Sequence, residues 1–566
     1  MQTETITSKR LGWALVLFFV VIYLLPLGIR SLGVPDEMRY GEMAREMVVS
    51  GDWVVPHLNG LRYFEKPAGG HAFNAAAIVI FGETNFAVRF MSALLAGLSA
   101  LGIFLLLRSR TSAQSALFSA FIFLTMGLVL GIGTFSVLDS MVSGFITLTL
   151  CSFYAALDAA GKRKLGWLVL TGIFAGLAFL VKGFIALAVP VIVIVPFLML
   201  RRDWKALFTL PWIPLISVLV VTLPWCLAIA HREPDFWRYF FWEEHIHRFF
   251  SQEEAQHAAP FWYFIPVLIG GALPWTLVAI RPLRNLIRER RRDPLIQFAL
   301  CWTILPFLFF SASSGKLGTY ILPCFAPLAI LVSLALNRSF KEDRDQPVAG
   351  SWAIKFFYIL FILVFVVFLI ALLLAAFNLI PLFDCHPFPK IIVPLFALFV
   401  AIRWLWKGCR VADGITKNVL LGISISVLFV GVSIGFPSEV STNLGIQNFL
   451  QKHRNEVDKQ TILVGNSKTV HALCYEYKRN NVYLFRNKGE LRYGLSFPNA
   501  QHRYLKDPCA LQDLLAKRGS NRLVLVIKSK PNDALRAELP KPNHQFQWLK
   551  IWYAVYEPLT PKSGKK

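Results

Sequence analysis

The stretch SWAIKFFYILFILVFVVFLIALLLAAFNL, residues 351–379, contains a single charged residue, Lys355. About twenty apolar residues in a helix cross the roughly 30 Å hydrocarbon core of a bilayer, so this stretch is long enough to span it. A soluble domain offers no comparable place for an uninterrupted apolar run. The stretch therefore predicts a transmembrane helix.

Apolar runs of the same kind recur along most of the chain, which is 55% apolar with a mean hydropathy of +0.54. The other runs are 11–29, 85–107, 114–131, 136–156, 165–182, 183–200, 206–230, 261–280, 295–312, 319–337, 390–406 and 417–437. We therefore predict an all-α polytopic membrane protein of about thirteen transmembrane helices.

Basic residues in the short connections decide the predicted orientation, because loops rich in Lys and Arg stay in the cytoplasm. With a cytoplasmic N-terminus, every basic connection falls on the inner side. The connections are 108–110, 162–164, 201–205, 281–292, 338–344 and 403–417. The outer side then receives the long loops 31–85 and 231–260, the short loop 311–318 and the C-terminal tail.

Residues 438–566 are predicted to form a small soluble α/β domain on the outer side, separate from a membrane domain at 1–437. Strand-like and helix-like runs alternate along this tail. The strand-like runs are 461–464, 482–485, 523–527 and 547–556, and the helix-like runs are 469–478, 510–517 and 532–539. Cys474 and Cys509 share the tail and could form a disulfide in an oxidising compartment.

The chain is strongly basic, with a formal charge of +24 and a sequence pI near 9.8. Topology and anionic lipid explain much of this charge, so nucleic acid is not an expected partner. The tail is also basic, although it is predicted to lie on the outer side of the membrane, where the positive-inside rule does not explain basic residues. Its basic residues include Lys452, Arg454, Lys478, Arg479, Arg486, Lys488, Arg492, Lys528 and Lys530. They indicate either a polyanionic substrate in the outer leaflet or only a solvated surface.

The first outer loop begins with PDEMRYGEMAREM, residues 35–47. Apolar residues at 40, 43, 44 and 47 predict an amphipathic helix lying on the membrane surface. Glu42 and Glu46 are expected to be solvated on its polar face. Asp36, with Glu37 beside it and Arg39 one turn on, is the carboxylate expected to act in catalysis, with Glu37 and Arg39 as further candidates.

These residues carry a resemblance to a known family. The string from Pro35 to Pro67, and the stretch HREPDFWRYFFW at 231–242 with the residues that follow it, resemble the lipid A aminoarabinose transferases. Further similarities lie at 137–139, 182–184, 255–263 and 315–323. That family is one of the protein O-mannosyltransferase-like, GT-C class of integral-membrane glycosyltransferases. The resemblance covers the membrane region and becomes weaker in the tail.

The resemblance implies a function as well as a fold. It implies an inverting transfer of 4-amino-4-deoxy-L-arabinose from undecaprenyl phosphate to lipid A phosphates at the periplasmic face of the bacterial inner membrane, which confers resistance to polymyxin and other cationic peptides. The enzyme is expected to act as a monomer. Its substrates are the lipid-linked sugar and lipid A.

The leaving group of such a transfer is a lipid monophosphate, which needs fixed positive charge. Lys66 and Arg248 match the family positions for this role, although either could instead be a cation that only extends to the membrane interface. Lys316, Tyr320 and Tyr63 are expected to bind the donor.

The acceptor phosphate is already anionic, so no strong general base is required. Asp36 is therefore expected to orient the acceptor or the sugar amine, or to stabilise positive charge at the anomeric carbon. Asp139, at the outer end of a span, should face a cavity, because an unpaired carboxylate in lipid is costly. Packing against Lys182 is the structural alternative.

Glu65 and His245 could bind a divalent metal, zinc or else magnesium or manganese, as the resemblance suggests. The sequence departs from the family pattern at His71 and Ala72, where an aromatic pair is usual, and at Gly318, which replaces a common Pro. These departures make the sugar less certain than the reaction.

Two other functions remain open from the sequence. The same enzyme class could use another acceptor, either a protein hydroxyl or a different envelope glycan. A transporter or flippase is less favoured, because the charged residues collect in the outer loops and no inverted repeat is visible.

Overall fold

In the computed structural model, the described residues are 2–247, 258–342, 350–377, 389–435, 441–530 and 533–559. The chain divides into two compact units. The membrane unit contains Met1–Leu27, Arg89–His231 and Trp237–Phe436, and the loop–tail unit contains Gly28–Val88, Arg232–Phe236 and Pro437–Lys566. The predicted boundary at 437 had assigned both long outer loops to the membrane domain, whereas residues 28–88 group with the tail.

The membrane unit is built from helices. In chain order they are α1 (Gln2–Phe19), α4 (Asn85–Arg108), α5 (Ala113–Thr125), α6 (Gly127–Gly133), α7 (Leu138–Leu157), α8 (Gly161–Lys182), α9 (Ile185–Leu200), α10 (Trp204–Thr209), α11 (Trp212–Arg232), α12 (Phe264–Gly271), α13 (Trp275–Arg290), α14 (Pro294–Ala312), α15 (Phe325–Glu342), α16 (Ser351–Ala376), α17 (Pro389–Arg410) and α18 (Gly414–Gly435). A π-helical segment covers Arg238–His247, and 3₁₀ turns cover Phe261–Tyr263 and Gly318–Cys324.

Each of the thirteen predicted apolar runs is helical over most of its length. Ten helices among the described residues are long and apolar enough to cross a membrane, or twelve if each of two bent pairs forms one span. The bent pairs are α5 with α6, at 68°, and Phe261–Gly271 with α13, at 103°. The remaining run, α9, has 16 residues and is therefore only about 24 Å long. The polytopic all-α prediction is confirmed, with a lower count of full spans.

The loop–tail unit contains a six-stranded sheet in the order β5-β4-β3-β6-β8-β7. Strands β3, β4, β5 and β6 run parallel to one another, and β8 is antiparallel to both of its neighbours, β6 and β7. The strands are β3 (Ile462–Gly465), β4 (Tyr483–Phe485), β5 (Tyr504–Leu505), β6 (Leu523–Lys528), β7 (His544–Trp548) and β8 (Ile551–Tyr556), and the tail helices are α19 (Thr442–Lys452), α20 (Val470–Tyr477) and α21 (Pro508–Ala516). The predicted α/β domain is confirmed. The predicted strand 547–556 instead contains the end of β7, the hairpin turn and β8, with Leu549 in the left-handed region at φ 49°.

The first outer loop folds onto this sheet. It contains α2 (Asp36–Ser50), the small hairpin β1 (His57–Leu58) and β2 (Leu61–Arg62), and α3 (Gly69–Phe81). Side chains alternate across each strand, so Val524 and Val526 of β6 face one way and Leu525 the other. The Val524 side shares a hydrophobic core with Met38 of α2 and with loop residues such as Tyr63, which joins the loop and the tail into one unit.

Helix α2 is confirmed, but it does not lie on a surface. Every residue from Glu37 to Met47 is buried. A Cβ on Gly41 would lie 3.0 Å from the Tyr475 ring of α20, so the glycine allows these two helices to pack closely. The prediction of an amphipathic surface helix is therefore wrong, and so is the prediction that Glu42 and Glu46 are solvated.

The two tail cysteines do not form a disulfide. Cys474 is buried in α20 and its thiol approaches the Asn59 side-chain oxygen at 3.4 Å, while Cys509 is exposed on α21; both are free.

Candidate functional site

Asp36 is the first residue of α2, and Arg39 lies one turn later on the same face. The Nη2 atom of Arg39 donates hydrogen bonds to Asp36 Oδ1 at 2.6 Å and to the Tyr40 hydroxyl at 2.9 Å. The Arg39 side chain is 8% exposed, whereas that of Asp36 is 41% exposed. A buried guanidinium thus holds a carboxylate that is accessible to a substrate.

Glu490 of the tail completes this network. It forms an ion pair with Arg39 through Nη1, and it accepts a hydrogen bond from the Tyr63 hydroxyl at 3.2 Å. Burial alone would raise the pKa of Glu490, but the charge of Arg39 and the hydrogen bond that Arg39 donates outweigh burial and lower this pKa to about 2. Glu490 is therefore ionised at neutral pH and fixes the orientation of Arg39.

The sequence analysis did not find Glu490. It lies 451 positions from Arg39 in the chain, beyond the reach of any local pattern. The only local signal is that it is an acid between basic residues, Lys488 and Arg492.

Tyr63, Glu65 and Lys66 follow β2 in the same loop. The Tyr63 hydroxyl lies 3.3 Å from Glu65 Oε2, and Lys66 Nζ donates to the Glu65 backbone carbonyl at 2.7 Å. Burial, followed by the neighbouring carboxylates, raises the pKa of Tyr63, which therefore stays protonated. Lys66 also lies near enough to Glu490 for its charge to lower the pKa of that carboxyl. The structure thus groups three predicted donor-site or metal-site residues with Arg39.

His71, one of the departures from the family pattern, lies beside this network. Its ring is 5.8 Å from the Tyr40 ring and 6.3 Å from the Tyr63 ring. Burial, followed by the charges of Arg39 and Lys66, lowers the pKa of His71 to about 3, so the imidazole is neutral. A neutral ring packed on two aromatic rings fits the expectation of an aromatic side chain at this place.

Glu37 is turned away from Asp36. Its Oε2 accepts the backbone N–H of Gly33 at 2.7 Å, and its Oε1 lies 3.5 Å from Arg30 Nη2. These contacts stabilise the chain just before α2, where acidic residues also complement the helix dipole. They favour a structural role for Glu37.

A second polar group lies in the membrane unit. Asp139, in the first turn of α7, forms an ion pair with Lys182 at the end of α8 and accepts a hydrogen bond from Thr319 at 2.9 Å. The Lys182 ammonium lies 4.4 Å from the centre of the Tyr320 ring. The pairing with Lys182 is the structural alternative raised from the sequence, and it brings the predicted donor-site residue Tyr320 next to Asp139.

Lys316 is buried, and its ammonium donates to the carbonyls of Ser313 and of Ala259, the latter at 3.0 Å. A β-bridge between Ala258 and Gly315 joins the same two segments. Desolvation lowers the pKa of Lys316. Its contacts connect the end of the second outer loop to the short third loop.

Two predicted residues have no described side chain. Arg248 lies outside the described residues, and His245 belongs to the π-helical segment without a described side chain. Among the described residues, no three His, Cys, Asp or Glu side chains come together as a metal site. The pairing of Glu65 with His245 at a metal remains a prediction.

Comparison with known proteins gives matches over nearly the whole chain. The family described as dolichyl-phosphate-mannose-protein mannosyltransferase matches residues 10–240, and the C-terminal domain of arabinosyl transferase ArnT matches residues 445–555. A Serratia proteamaculans protein named undecaprenyl phosphate-alpha-4-amino-4-deoxy-L-arabinose arabinosyl transferase is 40% identical over 551 residues, which cover 94% of this chain and 96% of that protein. A protein of the same name from Erwinia tasmaniensis is 39% identical over 96% of this chain and 98% of its own.

Among solved structures, the crystal structure of ArnT from Cupriavidus metallidurans bound to undecaprenyl phosphate superposes with a TM-score of 0.77 at 24% identity. The superposition covers 96% of this chain and 98% of that protein. It confirms the predicted GT-C type of fold, and its coverage includes both units.

Proposed function

Because this chain belongs to the family of undecaprenyl phosphate-aminoarabinose arabinosyl transferases, we propose that it transfers 4-amino-4-deoxy-L-arabinose from undecaprenyl phosphate to phosphate groups of lipid A. The chain is a glycosyltransferase and a multi-pass membrane protein by family and fold. The proposal adds the acceptor, the inner membrane as the location, a periplasmic site and a monomeric state.

The observation that carries the proposal is the network of Asp36, Arg39 and Glu490 around Tyr63. Including Glu65 and Lys66, it contains three carboxylates and two cations. A net negative group of this kind suits a sugar that carries an amine and develops positive charge at its anomeric carbon. An acceptor phosphate needs no general base, which leaves the exposed Asp36 to bind the sugar.

Lys66 is proposed to contact the leaving phosphate. Its ammonium is a point charge that can follow the phosphate as the glycosidic bond lengthens, while the carbonyl of Glu65 keeps it near the loop. Arg248 is proposed as its partner, since a guanidinium binds a phosphate bidentately. Asp139 is proposed as a positioning residue that holds Lys182 beside Tyr320.

A divalent metal at Glu65 and His245 remains part of the proposal without a step assigned to it. The Glu65 carboxylate, which lies next to the Tyr63 hydroxyl, is the one predicted ligand whose side chain the structure describes. The transfer outlined above depends on this chain's own cations and carboxylates.

The experiment is lipid A mass spectrometry. A Gram-negative strain that makes the lipid-linked sugar but lacks its own transferase is complemented with this gene or with its Asp36→Asn variant. We expect aminoarabinose adducts on lipid A phosphates and polymyxin resistance with the wild-type gene only. Unmodified lipid A with the wild-type gene would contradict the proposal, and glycosylated envelope proteins in those cells would favour the protein-hydroxyl acceptor.

A further inference from the structure

A cleft of about 730 Å³ opens at the C-terminal end of α2, within the loop–tail unit. Its floor and rim include Arg45, Glu46, Asp52, His57, Arg232 and Lys478. Glu46 is ten residues beyond Asp36 on the same helix, which places the two side chains about 15 Å apart along the helix axis. The cleft is therefore separate from the network around Asp36 but rigidly connected to it.

Three cations line this cleft. Arg45 lies on the floor and donates hydrogen bonds from Nε and Nη2 to the Glu42 carboxylate, each at 2.7 Å. Its Nη1 atom remains available to a ligand. Arg232 and Lys478, at the rim, have 46% and 36% of their side chains exposed and pair with Asp52 and Glu83 at 2.7 Å. The Lys478–Glu83 pair is exposed, and pairs of that kind contribute about 0–1 kcal/mol, so an entering anion can share Lys478. Arg232 binds both carboxylate oxygens of Asp52, at 2.8 Å and 2.7 Å, and its exposed part remains accessible to the anion.

Glu46 does not oppose an anion. It is 5% exposed, its Oε2 accepts the Gly60 N–H at 2.9 Å, and its Oε1 is buried with no hydrogen-bond partner. Burial, followed by the charge of Glu42, raises the pKa of Glu46 well above its ordinary value. Burial and the raised pKa both weaken the repulsion between Glu46 and an anion, and Asp52 is the remaining carboxylate among the residues named at the cleft.

We propose that this cleft binds the second, non-reacting phosphate of a diphosphorylated sugar acceptor while the first phosphate reacts near Asp36. The inference rests on the proposed function, because lipid A is a disaccharide with a phosphate at each end. Two anionic groups separated by a disaccharide match two sites on one helix. Binding energy gained at the remote phosphate then holds the reacting phosphate in place.

The test compares three acceptors with the purified full-length protein in detergent. They are lipid A with both phosphates and each of the two monophosphorylated forms. For the wild type we expect a KM about tenfold lower or more for the diphosphorylated form than for whichever monophosphorylated form is accepted, which corresponds to one or two charge-assisted hydrogen bonds.

Two independent variants remove the cleft. The double variant Arg232→Gln with Lys478→Gln removes the rim cations, and Ser50→Trp fills the cleft from an exposed position without removing an ion pair. Both should reduce the preference for the diphosphorylated acceptor to near unity. Lys506→Gln, an exposed cation of the tail outside the cleft, is the matched control and should keep the full preference.

The outcomes separate the two proposals. Equal KM values for the diphosphorylated and monophosphorylated forms in the wild type, or an unchanged preference in both cleft variants, would overturn the cleft while leaving the transferase proposal standing. Failure of the wild type to modify any of the three forms would overturn the transferase proposal and the cleft with it. A KM shift for the donor lipid in the cleft variants would also count against the cleft.

Discussion

Two buried carboxyls, Glu490 beside the N-terminal end of α2 and Glu46 at its C-terminal end, have pKa values that are shifted in opposite directions. At the N-terminal end, Arg39 pairs with both Asp36 and Glu490, and the pKa of Glu490 falls to about 2. At the C-terminal end, Arg45 gives two donors to Glu42, and the pKa of Glu46 rises. Burial raises the pKa at both ends. Beside Glu490 the charge of Arg39 outweighs burial, whereas Glu42 keeps a raised pKa in spite of its hydrogen bonds from Arg45, and the charge of Glu42 adds to the effect of burial on Glu46.

The comparison also separates two chemical roles on one helix. The end where Glu490 has a lowered pKa and Asp36 is exposed suits a positively charged sugar. The end with three cations and a carboxyl of raised pKa suits an anion.

Asp36→Asn should lower kcat by about 100-fold or more, because it removes the exposed charge that faces the substrate while keeping its shape. Stability should change little, since the Asn oxygen can still accept the Arg39 hydrogen bond at the helix start. Purified-enzyme kinetics with lipid-linked donor and lipid A measure the first effect, and thermal unfolding measures the second. A loss confined to KM would mean that Asp36 only binds the ground state.

Glu490→Ala should destabilise the loop–tail unit by about 3–5 kcal/mol, because it leaves Arg39 buried with one carboxylate fewer. Glu490→Gln keeps a hydrogen-bonding partner for Tyr63 and should cost less. Thermal unfolding of the full-length protein measures both, and Asp513→Ala, an exposed acid on α21, is the control. Activity should fall more with Glu490→Ala than with Glu490→Gln at a temperature where both variants are folded. Equal activities would show that Glu490 has no positioning role.

The pH dependence of stability should differ between the two ends. The raised pKa of Glu46 means that its carboxyl group binds a proton more tightly in the folded chain than in the unfolded chain, where the pKa of Glu is about 4.3. Its contribution is complete below about pH 4.3 and is lost as the pH rises through the folded-state pKa. Glu46→Gln should therefore flatten the decline of thermal stability as the pH rises above about 4.3.

Glu490 has the opposite sign. Its lowered pKa contributes stability above about pH 4.3 that is lost as the pH falls toward about 2. Glu490→Gln should flatten the acid side of the same profile and leave the alkaline side unchanged. If both variants changed the same side of the profile, the contrast between the two ends of α2 would be wrong.

His71→Phe should have the smallest effect. Both ring nitrogens of His71 are buried without a hydrogen-bond partner among the described residues, and the ring already packs on Tyr40 and Tyr63. Replacing it with an apolar ring should raise stability by about 1 kcal/mol, because the buried polar atoms are removed. Thermal unfolding tests this, with His502→Phe on the partly solvated tail surface as the control. A clear destabilisation would indicate that the imidazole is hydrogen-bonded.

The order of residues was enough to predict the membrane helices, the α/β tail and helix α2, and it carries the resemblance at Asp36, Lys66 and their neighbours. Each of these follows from local information, because periodicity and segment length reflect whether a residue faces lipid, protein core or water. The sequence prediction failed where burial depended on distant segments. Helix α2 has the pattern of a surface helix, but α20 packs against it at Gly41, and the turn between β1 and β2 covers Glu46, which accepts the Gly60 N–H.

The partners and pKa shifts of the buried carboxyls depend on the tertiary structure. Glu490 reaches Arg39 across 451 positions, and the pKa of Glu46 rises because the fold buries it beside the charge of Glu42. The electrostatic free energy of a carboxylate depends on its distance from a cation and on its access to water, and neither quantity is written in the order of residues.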